Sequence, residues 1–328
     1  MCWEDNQDGC YVGWLPAWGM GVPPEKEKKG READKRAGKE AWGAWGGVTL
    51  PERKLVMGKD IQARVEKERE LYNKGIDRKK YNAHFGASVW GGADGYAEAR
   101  EKNIVSKVLK RGKGKNILEL GSTGWDLFID FQDYAPAHLT CVNISEKELD
   151  KGIAMSKIRD TKKYCQHDFR IMDAHCLDFP DNTFDMVFGD AILHHLNFGT
   201  AVEELYRVLK PGGEIVFVEP LARNPVGKLV RRLTPYARTP DEKPLDKEEF
   251  RILKGYFCLE NVWLQLFYVP AAVLSKYLFK SPRNPVMYAA DKVDCFLEKV
   301  FRKTSFCLYY RIVIIRGFSK KRKPNQGR

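Results

Sequence analysis

Two glycines follow a short apolar stretch near the middle of the chain. Ile117-Leu-Glu-Leu120 has the composition of a buried strand, and Gly121-Ser-Thr-Gly124 comes directly after it. Glycine lets backbone amides approach a ligand closely, and a helix that begins after such a turn directs further N–H groups to the same place. The turn is too short for the G-x-G-x-x-G dinucleotide fingerprint. It predicts either a ligand site at a strand end or a plain tight connection.

A pair of adjacent histidines, His194 and His195, follows a predicted strand at residues 184–189. An imidazole titrates near neutral pH, so it can take a proton from a hydroxyl or a phenol. The sequence equally allows one ring to pack under the next helix and the other to lie in solvent.

A second group of metal-binding residue types comprises Cys165, His167, His175 and Cys176. The spacing of these residues matches no tetrahedral zinc pattern, and a predicted strand separates the two pairs. We therefore expect no metal site.

The elements that must position these side chains alternate between strand and helix. The predicted strands span residues 117–120, 138–144, 169–172, 184–189 and 214–218, the predicted helices span 146–159 and 200–209, and a turn is predicted at 210–213. This alternation predicts an α/β fold with a doubly wound, Rossmann-like, mostly parallel sheet. In such sheets ligands bind at the carboxyl ends of the strands.

The segments on either side of this core have a different pattern of predicted helices and strands. Charged helices are predicted at about 60–74 and 97–110, and the last third predicts a helix at 247–254, strands at 262–268 and 309–315, and a helical pair at about 271–280 and 288–302. We expect the final strand to be antiparallel and the helical pair to be an insertion. The predicted divisions are 1–56, a disordered or non-native extension; 57–112, a helical lid; 113–220, the core; 221–318, a C-terminal part with the insertion; and 319–328, a basic tail.

The extension at 1–56 combines scattered tryptophans with Gly and Pro and has no sustained apolar period. We expect it to be dispensable, and we favour Met57 over Met1 as the natural start.

Five short motifs resemble, in order and spacing, the class I S-adenosylmethionine-dependent methyltransferases, and among them the small-molecule type 11 group. The motifs are Ile117-Leu-Glu-Leu-Gly121, Val142-Asn-Ile-Ser-Glu146, Met172-Asp-Ala174, the segment 179–185 with Leu193-His-His-Leu196, and the segment 207–213. The resemblance covers residues 116–220, and it implies that 113–220 is a core that binds S-adenosyl-L-methionine.

The resemblance also implies roles for single residues. The cofactor-binding set is Glu119, Gly121, Ser122, Thr123, Gly124, Asn143, Ile144, Asp173, Ala174 and Asp190. Within it, Glu119 and the turn would hold the amino acid end of the cofactor. Asn143 stands where the family has an acidic ribose ligand, and its amide can still hydrogen-bond a diol. Asp173 with Ala174 would bind adenine, and Asp190 would lie beside the methionine portion and the acceptor.

The positive charge of the chain is concentrated in its last third. Residues 221–328 hold 23 basic and 9 acidic side chains, while the whole chain has a formal net charge of +12. Such a segment predicts a polyanionic partner. Because no apolar stretch reaches the length that spans a bilayer and no secretory leader is recognisable, we expect a cytoplasmic protein. The apolar faces of the helical pair predict either packing on the sheet or peripheral contact with an anionic membrane.

The leading expectation is methyl transfer to a small-molecule or lipid-linked acceptor, with O-methylation favoured and with His194 and His195 as catalytic residues. A methyltransferase fold without activity, acting as a scaffold or peripheral membrane protein, is the first alternative. An RNA methyltransferase is less favoured, because Asp190-Ala-Ile-Leu193 differs from the Asn/Asp-Pro-Pro-Tyr/Phe of many base-amine methyltransferases. We expect neither a nucleic acid nor an obligate protein partner.

Overall fold

The computed structural model describes residues 59–74, 95–122, 124–233 and 242–321, so the expectations for 1–56, for Thr123 and for most of the basic tail lie outside the described residues. Seven strands form one sheet in the order β3-β2-β1-β4-β5-β7-β6. The strands are β1 (Asn116–Leu120), β2 (His138–Asn143), β3 (Gln166–Ile171), β4 (Phe184–Asp190), β5 (Leu209–Pro220), β6 (Phe257–Leu264) and β7 (Ile312–Ser319). Strand β7 runs antiparallel to β5 and β6, and the other neighbours are parallel. The predicted fold class is confirmed.

Helices cover both faces of the sheet. In the described part of the chain they are α1 (Lys59–Lys74), α2 (Tyr96–Leu109), α3 (Gly124–Phe128), α4 (Phe131–Tyr134), α5 (Glu146–Ile158), α6 (Phe198–Val208), α7 (Pro225–Leu233), α8 (Lys247–Tyr256), α9 (Tyr268–Leu278) and α10 (Pro285–Phe301). Because successive strand residues point to opposite faces, Val187 packs in one apolar layer with α6 and α8, and Phe188 packs in the other with α2 and α3. The sheet is therefore buried on both sides.

Several predicted boundaries were wrong by a few residues. Strand β3 begins at Gln166 rather than at 169, because it pairs with β2 along its whole length. The predicted turn at 210–213 is the irregular beginning of β5, where Gly212 has a φ of +72°. Strand β6 was predicted at 262–268 and β7 at 309–315, but their mutual pairing spans 257–264 and 312–319. Cross-strand pairing, which has no local sequence signal, decides these ends.

The predicted helical insertion lies between β6 and β7. Helices α9 and α10 pack on the first turn of α2, where Ala97 contacts Tyr268, Ala272 and Met287 in a small apolar cluster. A salt bridge of 2.9 Å from Arg100 to Asp291 joins α2 to α10. Since α2 leads into β1, its first turn lies towards the carboxyl edge of the sheet. No helix in the described part of the chain combines the length and the apolar composition needed to cross a bilayer.

Candidate active site

The turn after β1 forms an open cradle at the carboxyl edge of the sheet. Gly121 has a φ of +100°, and a Cβ built on it would meet no atom within 4 Å. Its N–H donates to the carbonyl of Val142 at the end of β2, which fixes the turn against the neighbouring strand. The left-handed backbone explains the glycine, and the open space above it leaves room for a ligand.

Glu119 braces this turn from inside the core. The carboxylate is fully buried, and its Oε1 accepts a hydrogen bond of 3.1 Å from the backbone N–H of Trp125 in α3. The Cys141 thiol donates to Oε2 at 3.4 Å. Burial, only partly offset by these hydrogen bonds, raises the pKa of Glu119 to about 8. The side chain therefore holds the start of α3 in place, and its cofactor contact remains a prediction.

Asn143 ties the ends of β1 and β2 together. Its Oδ1 accepts from the N–H of Ser145 at 2.9 Å, and its Nδ2 donates to Ser122 Oγ at 3.4 Å. The Ser122 hydroxyl in turn donates to the carbonyl of Glu148 at 2.8 Å. Ile144 is half-buried beside this network. The structure thus brings Ser122, Asn143 and Ile144 to the same sheet edge, and the expected ribose contact remains a prediction.

Asp173 carries an unsatisfied acceptor in the loop after β3. Its Oδ1 accepts from the backbone N–H of His175 at 2.9 Å and from His175 Nδ1 at 2.6 Å. Its Oδ2 is buried and has no hydrogen-bond partner. Burial opposes ionisation, but the His175 hydrogen bonds outweigh it and hold the pKa of Asp173 below the usual value. An orphaned buried acceptor beside the buried Ala174 fits the exocyclic amine of an adenine.

Several carboxyl groups lie close together where β4 ends. Burial and the neighbouring Glu219 raise the pKa of Asp190 to about 7, although His194 opposes the shift. Burial, followed by repulsion from Asp190 and Glu98, raises the pKa of Glu101 in α2 to about 8. A Cβ at Gly124 would lie 3.5 Å from the Asp190 Cβ, which places this acidic group next to the β1 turn. A cationic ligand would offset the repulsion between these groups.

The residue that holds His194 was missed by the sequence reasoning. Glu219, at the end of β5, is fully buried, and its Oε2 lies 2.7 Å from His194 Nδ1. Its Oε1 accepts from the N–H groups of Ile192 and Leu193 at 3.0 and 2.7 Å. Since the carboxylate can only accept, Nδ1 carries the proton and Nε2 remains an acceptor. The only sequence signal was an acidic residue that closes a buried strand.

His195 contacts the lid helix α1 instead. Its Nε2 lies 3.3 Å from the Tyr72 hydroxyl, and its Nδ1 lies 3.5 Å from Glu68 Oε1. The two histidine rings stack with centroids 4.2 Å apart. Helix α1 is also held at the end of β2, where Ser145 donates to Asn73 at 2.8 Å. Helix α1 therefore lies over the same edge that carries the predicted site residues.

Cys165, His167, His175 and Cys176 do not form one group of potential metal ligands in the part of the chain that the structure describes. His175 is engaged by Asp173 and by the N–H of Asn197, while His167 Nδ1 lies 2.9 Å from Thr161 Oγ1. A different set, His194, His195 and Glu242, brings potential metal-ligand atoms within 4.8 Å of one another.

The residues at this edge fit S-adenosylmethionine. The Gly121 cradle, the orphaned Asp173 acceptor and the carboxylates around Asp190 match, respectively, a carboxylate, an adenine amine and the cationic sulfonium and ammonium groups. Thr123 lies outside the described residues. The remaining predicted cofactor residues all lie at the ends of β1, β2, β3 and β4.

Comparison with known proteins gives a family match and several partial relatives. A family model described as a methyltransferase domain matches residues 118–217. A glycine/sarcosine/dimethylglycine N-methyltransferase of Actinopolyspora halophila is 28% identical over 52% of this chain and 32% of its own. A sterol 24-C-methyltransferase of Gibberella zeae is 30% identical over 44% of this chain and 39% of its own. A demethylmenaquinone methyltransferase of Listeria welshimeri is 28% identical over 34% and 48%. The chain thus spans only about a third to a half of the length of these relatives.

Solved structures of two methyltransferases are similar to this chain at low identity. The N-methyltransferase NodS from Bradyrhizobium japonicum is 15% identical with a TM-score of 0.46, covering 79% of this chain and 100% of its own. A geranyl diphosphate C-methyltransferase from Streptomyces coelicolor is 12% identical with a TM-score of 0.49, covering 78% and 98%. The matched residues 118–217 include the ends of β1, β2, β3 and β4. Over residues 118–217 the chain therefore matches the methyltransferase-domain family.

Proposed function

We propose that the protein transfers a methyl group from S-adenosylmethionine to a small-molecule or lipid-linked acceptor, with a hydroxyl as the favoured acceptor group. The observation that carries this proposal is the Glu219–His194 pair, whose Nδ1 contact of 2.7 Å leaves Nε2 as a proton acceptor at the cofactor edge. The relatives support a small-molecule acceptor, because their names give glycine derivatives, a sterol and demethylmenaquinone as substrates.

S-adenosylmethionine, when bound, supplies a methyl group already activated by a sulfonium. The chain contributes binding and alignment, with the backbone at Gly121 taking the cofactor carboxylate and Asp173 Oδ2 accepting from the adenine amine. Glu119 holds the start of α3, so that its amides stay in position. Asp190, with its raised pKa of about 7, ionises most readily when a cation lies beside it.

His194 is the proposed proton acceptor. His194 Nε2 would take the hydroxyl proton of the acceptor as the acceptor oxygen receives the methyl group. The imidazolium that results lies between Glu219, at 2.7 Å from Nδ1, and Glu242, at 4.0 Å from Nε2. Both carboxylates stabilise its positive charge.

His195 remains a predicted catalytic residue, and its contacts suggest a positioning role as well. Glu68 and Tyr72 both approach it from α1, so His195 links the lid to the segment that carries His194. Closure of such a lid excludes water from the transfer. Contact of the protein with an anionic membrane is a further part of the proposal and would supply a lipid-linked acceptor.

The test is incubation of the purified chain with methyl-labelled S-adenosylmethionine and lysate separated into lipid, small-molecule and RNA fractions. We expect label in the lipid or small-molecule fraction, in a product stable to the mild alkali that hydrolyses carboxyl methyl esters. The matched control is His194→Asn, which keeps a polar side chain but cannot take the proton. Label in RNA, or equal labelling by wild type and His194→Asn, contradicts the proposal. Calorimetry with S-adenosylmethionine separates an inactive scaffold that binds no cofactor from an enzyme lacking its acceptor.

A further inference from the structure

Helix α10 turns its acidic side chains inward and its large apolar side chains outward. Asp291, Asp294 and Glu298 lie on one face at helical spacing and are at most 8% exposed. The opposite face presents Val293, Phe296 and Val300, with Phe296 64% exposed. This is the reverse of the usual arrangement, in which the apolar stripe of an amphipathic helix faces the core.

Specific contacts keep the acidic face inside. Both carboxylate oxygens of Asp294 accept hydrogen bonds from the N–H groups that begin α9, at Leu266, Phe267 and Tyr268, over 2.8–3.1 Å. Asp291 binds Arg100 of α2. Rotating α10 to bury its apolar face would break these contacts and leave the amides at the start of α9 without acceptors. The outward apolar face is therefore a stable property of the fold.

Helix α9 adds a second apolar face to the same surface. It packs on α2 through Tyr268 and Ala272, which places Leu274 and Tyr277 on its far side, 59% and 85% exposed. Because α9 and α10 pack on each other and share the Ala97 cluster, both far sides point away from the body of the protein. We call this the insertion face; its exposed apolar members are Val273, Leu274, Tyr277, Leu278, Val293, Phe296 and Val300.

The charge around the insertion face has one sign. All three acidic residues of the segment 265–311 are the buried ones of α10, so none is exposed there. The exposed basic residues of the same segment are Lys280, Arg283, Lys292, Lys299, Arg302, Lys303 and Arg311. On α10, Lys292 and Lys299 lie along one edge of the apolar stripe by helical spacing. A second copy of this face would meet like charge, which disfavours self-association through it.

We propose that the insertion face docks the protein on an anionic lipid membrane. Protruding aromatic and aliphatic side chains bordered by lysine and arginine match an interfacial helix, in which apolar burial and attraction to anionic headgroups add. The same helix pair rests on the first turn of α2, which carries Glu98 and Glu101 towards Asp190. Docking therefore brings the mouth of the site to the lipid surface, although it does not depend on methyl transfer.

The experiment is flotation of the purified full chain with phosphatidylcholine vesicles, with and without about 30% phosphatidylglycerol. The salt concentration is set below and then above the physiological value of about 0.15 M, at which the Debye length is about 8 Å. No cofactor or acceptor is present, so the result is independent of the proposed reaction. We expect binding to anionic vesicles at low salt, weaker binding at high salt, and weak binding to neutral vesicles. The double variant Leu274→Ser/Phe296→Ser should lower the bound-to-free ratio about tenfold or more.

The matched control is Ile158→Ser/Ile171→Ser, which removes two apolar side chains of similar exposure, 73% and 55%, at the α5–β3 end of the sheet. It should bind as wild type does. The proposal is overturned if the chain stays unbound with anionic vesicles at low salt, or if both double variants lose binding equally. It is also overturned if light scattering shows a concentration-dependent dimer that Leu274→Ser/Phe296→Ser abolishes, because a second copy would then cover the face.

Discussion

The change Glu219→Gln tests how the chain prepares His194 for proton transfer. Glu219 Oε1 accepts from two backbone N–H groups, at Ile192 and Leu193, and Oε2 accepts from His194 Nδ1. A glutamine keeps one acceptor oxygen, and this oxygen accepts the hydrogen bonds from the backbone N–H groups of Ile192 and Leu193. The new NH₂ group must then face His194 Nδ1 and donate to it. The imidazole is forced into the other tautomer, with its proton on Nε2, where it can no longer receive one.

The size of the effect follows from this exchange of donor and acceptor. Loss of a positioned proton acceptor costs about 10²–10⁴ in rate, which corresponds to roughly 3–5 kcal/mol of transition-state stabilisation. The free energy of unfolding should fall by only about 1–3 kcal/mol, because the backbone hydrogen bonds survive with a neutral acceptor. We therefore expect kcat to drop by about 10²–10⁴ while the affinity for S-adenosylmethionine stays within about twofold of wild type.

Two measurements check the reasoning, and one needs no acceptor. Nitrogen-15 NMR of the histidine rings reports which ring nitrogen of His194 carries the proton, and kinetics with the identified acceptor report kcat. Glu242→Gln is the matched control for the tautomer measurement, because Glu242 lies 4.0 Å from the other ring nitrogen and makes no Nδ1 contact in the structure described. An unchanged His194 tautomer in Glu219→Gln, or a kcat within about threefold of wild type, would refute the assignment.

Four further substitutions probe the cofactor cradle, the buried acid and the insertion. Asp173→Ala and Gly121→Val should each weaken S-adenosylmethionine binding about tenfold or more in calorimetry, because the first removes the orphaned acceptor and the second forces a β-branched residue to a φ of +100°. Glu119→Gln should flatten the dependence of thermal stability on pH. Burial raises the pKa of Glu119 from 4.5 to about 8, so over that window the folded state holds a proton that the unfolded chain releases, and wild-type stability falls as pH rises. Asp294→Ala should lower the free energy of unfolding in urea by about 3–5 kcal/mol, because three N–H groups, that of the buried Tyr268 among them, lose their acceptor.

The binding, pH-dependence and unfolding measurements each have a control or an outcome that would contradict the reasoning. Gly114→Val places the same residue at a φ of +71° away from the site, so equal loss of binding there would mean that strain, not the cradle, is responsible. A pH dependence of stability unaltered by Glu119→Gln would mean that this carboxyl ionises normally in the folded protein. Asp294→Asn retains an acceptor oxygen and should cost less than Asp294→Ala, and equal costs would argue against the hydrogen-bond explanation.

The strand and helix periods of the sequence were enough to predict the parallel sheet of the core. An apolar stretch that ends in Gly121-Ser-Thr-Gly124, together with the later strand and helix periods, predicts a parallel sheet with a ligand at its carboxyl edge. Most boundaries of the core agree within two residues, because strand and helix periods are carried by neighbouring residues. The ends of β3, β6 and β7 were displaced by up to five residues, because strand pairing selects them.

The sequence by itself determined the fold class, the cofactor edge and the candidate histidines, since each depends on residues close together in the chain. Only the tertiary structure decided what those residues can do. Glu219 lies 25 residues after His194, and Glu68 lies on a helix that precedes the core, so neither contact has a local period to reveal it. Likewise, the spacing in α10 shows an apolar and an acidic stripe without saying which is buried. The acidic stripe is the buried one because the amides at the start of α9 and the guanidinium of Arg100 need its carboxylates as hydrogen-bond partners.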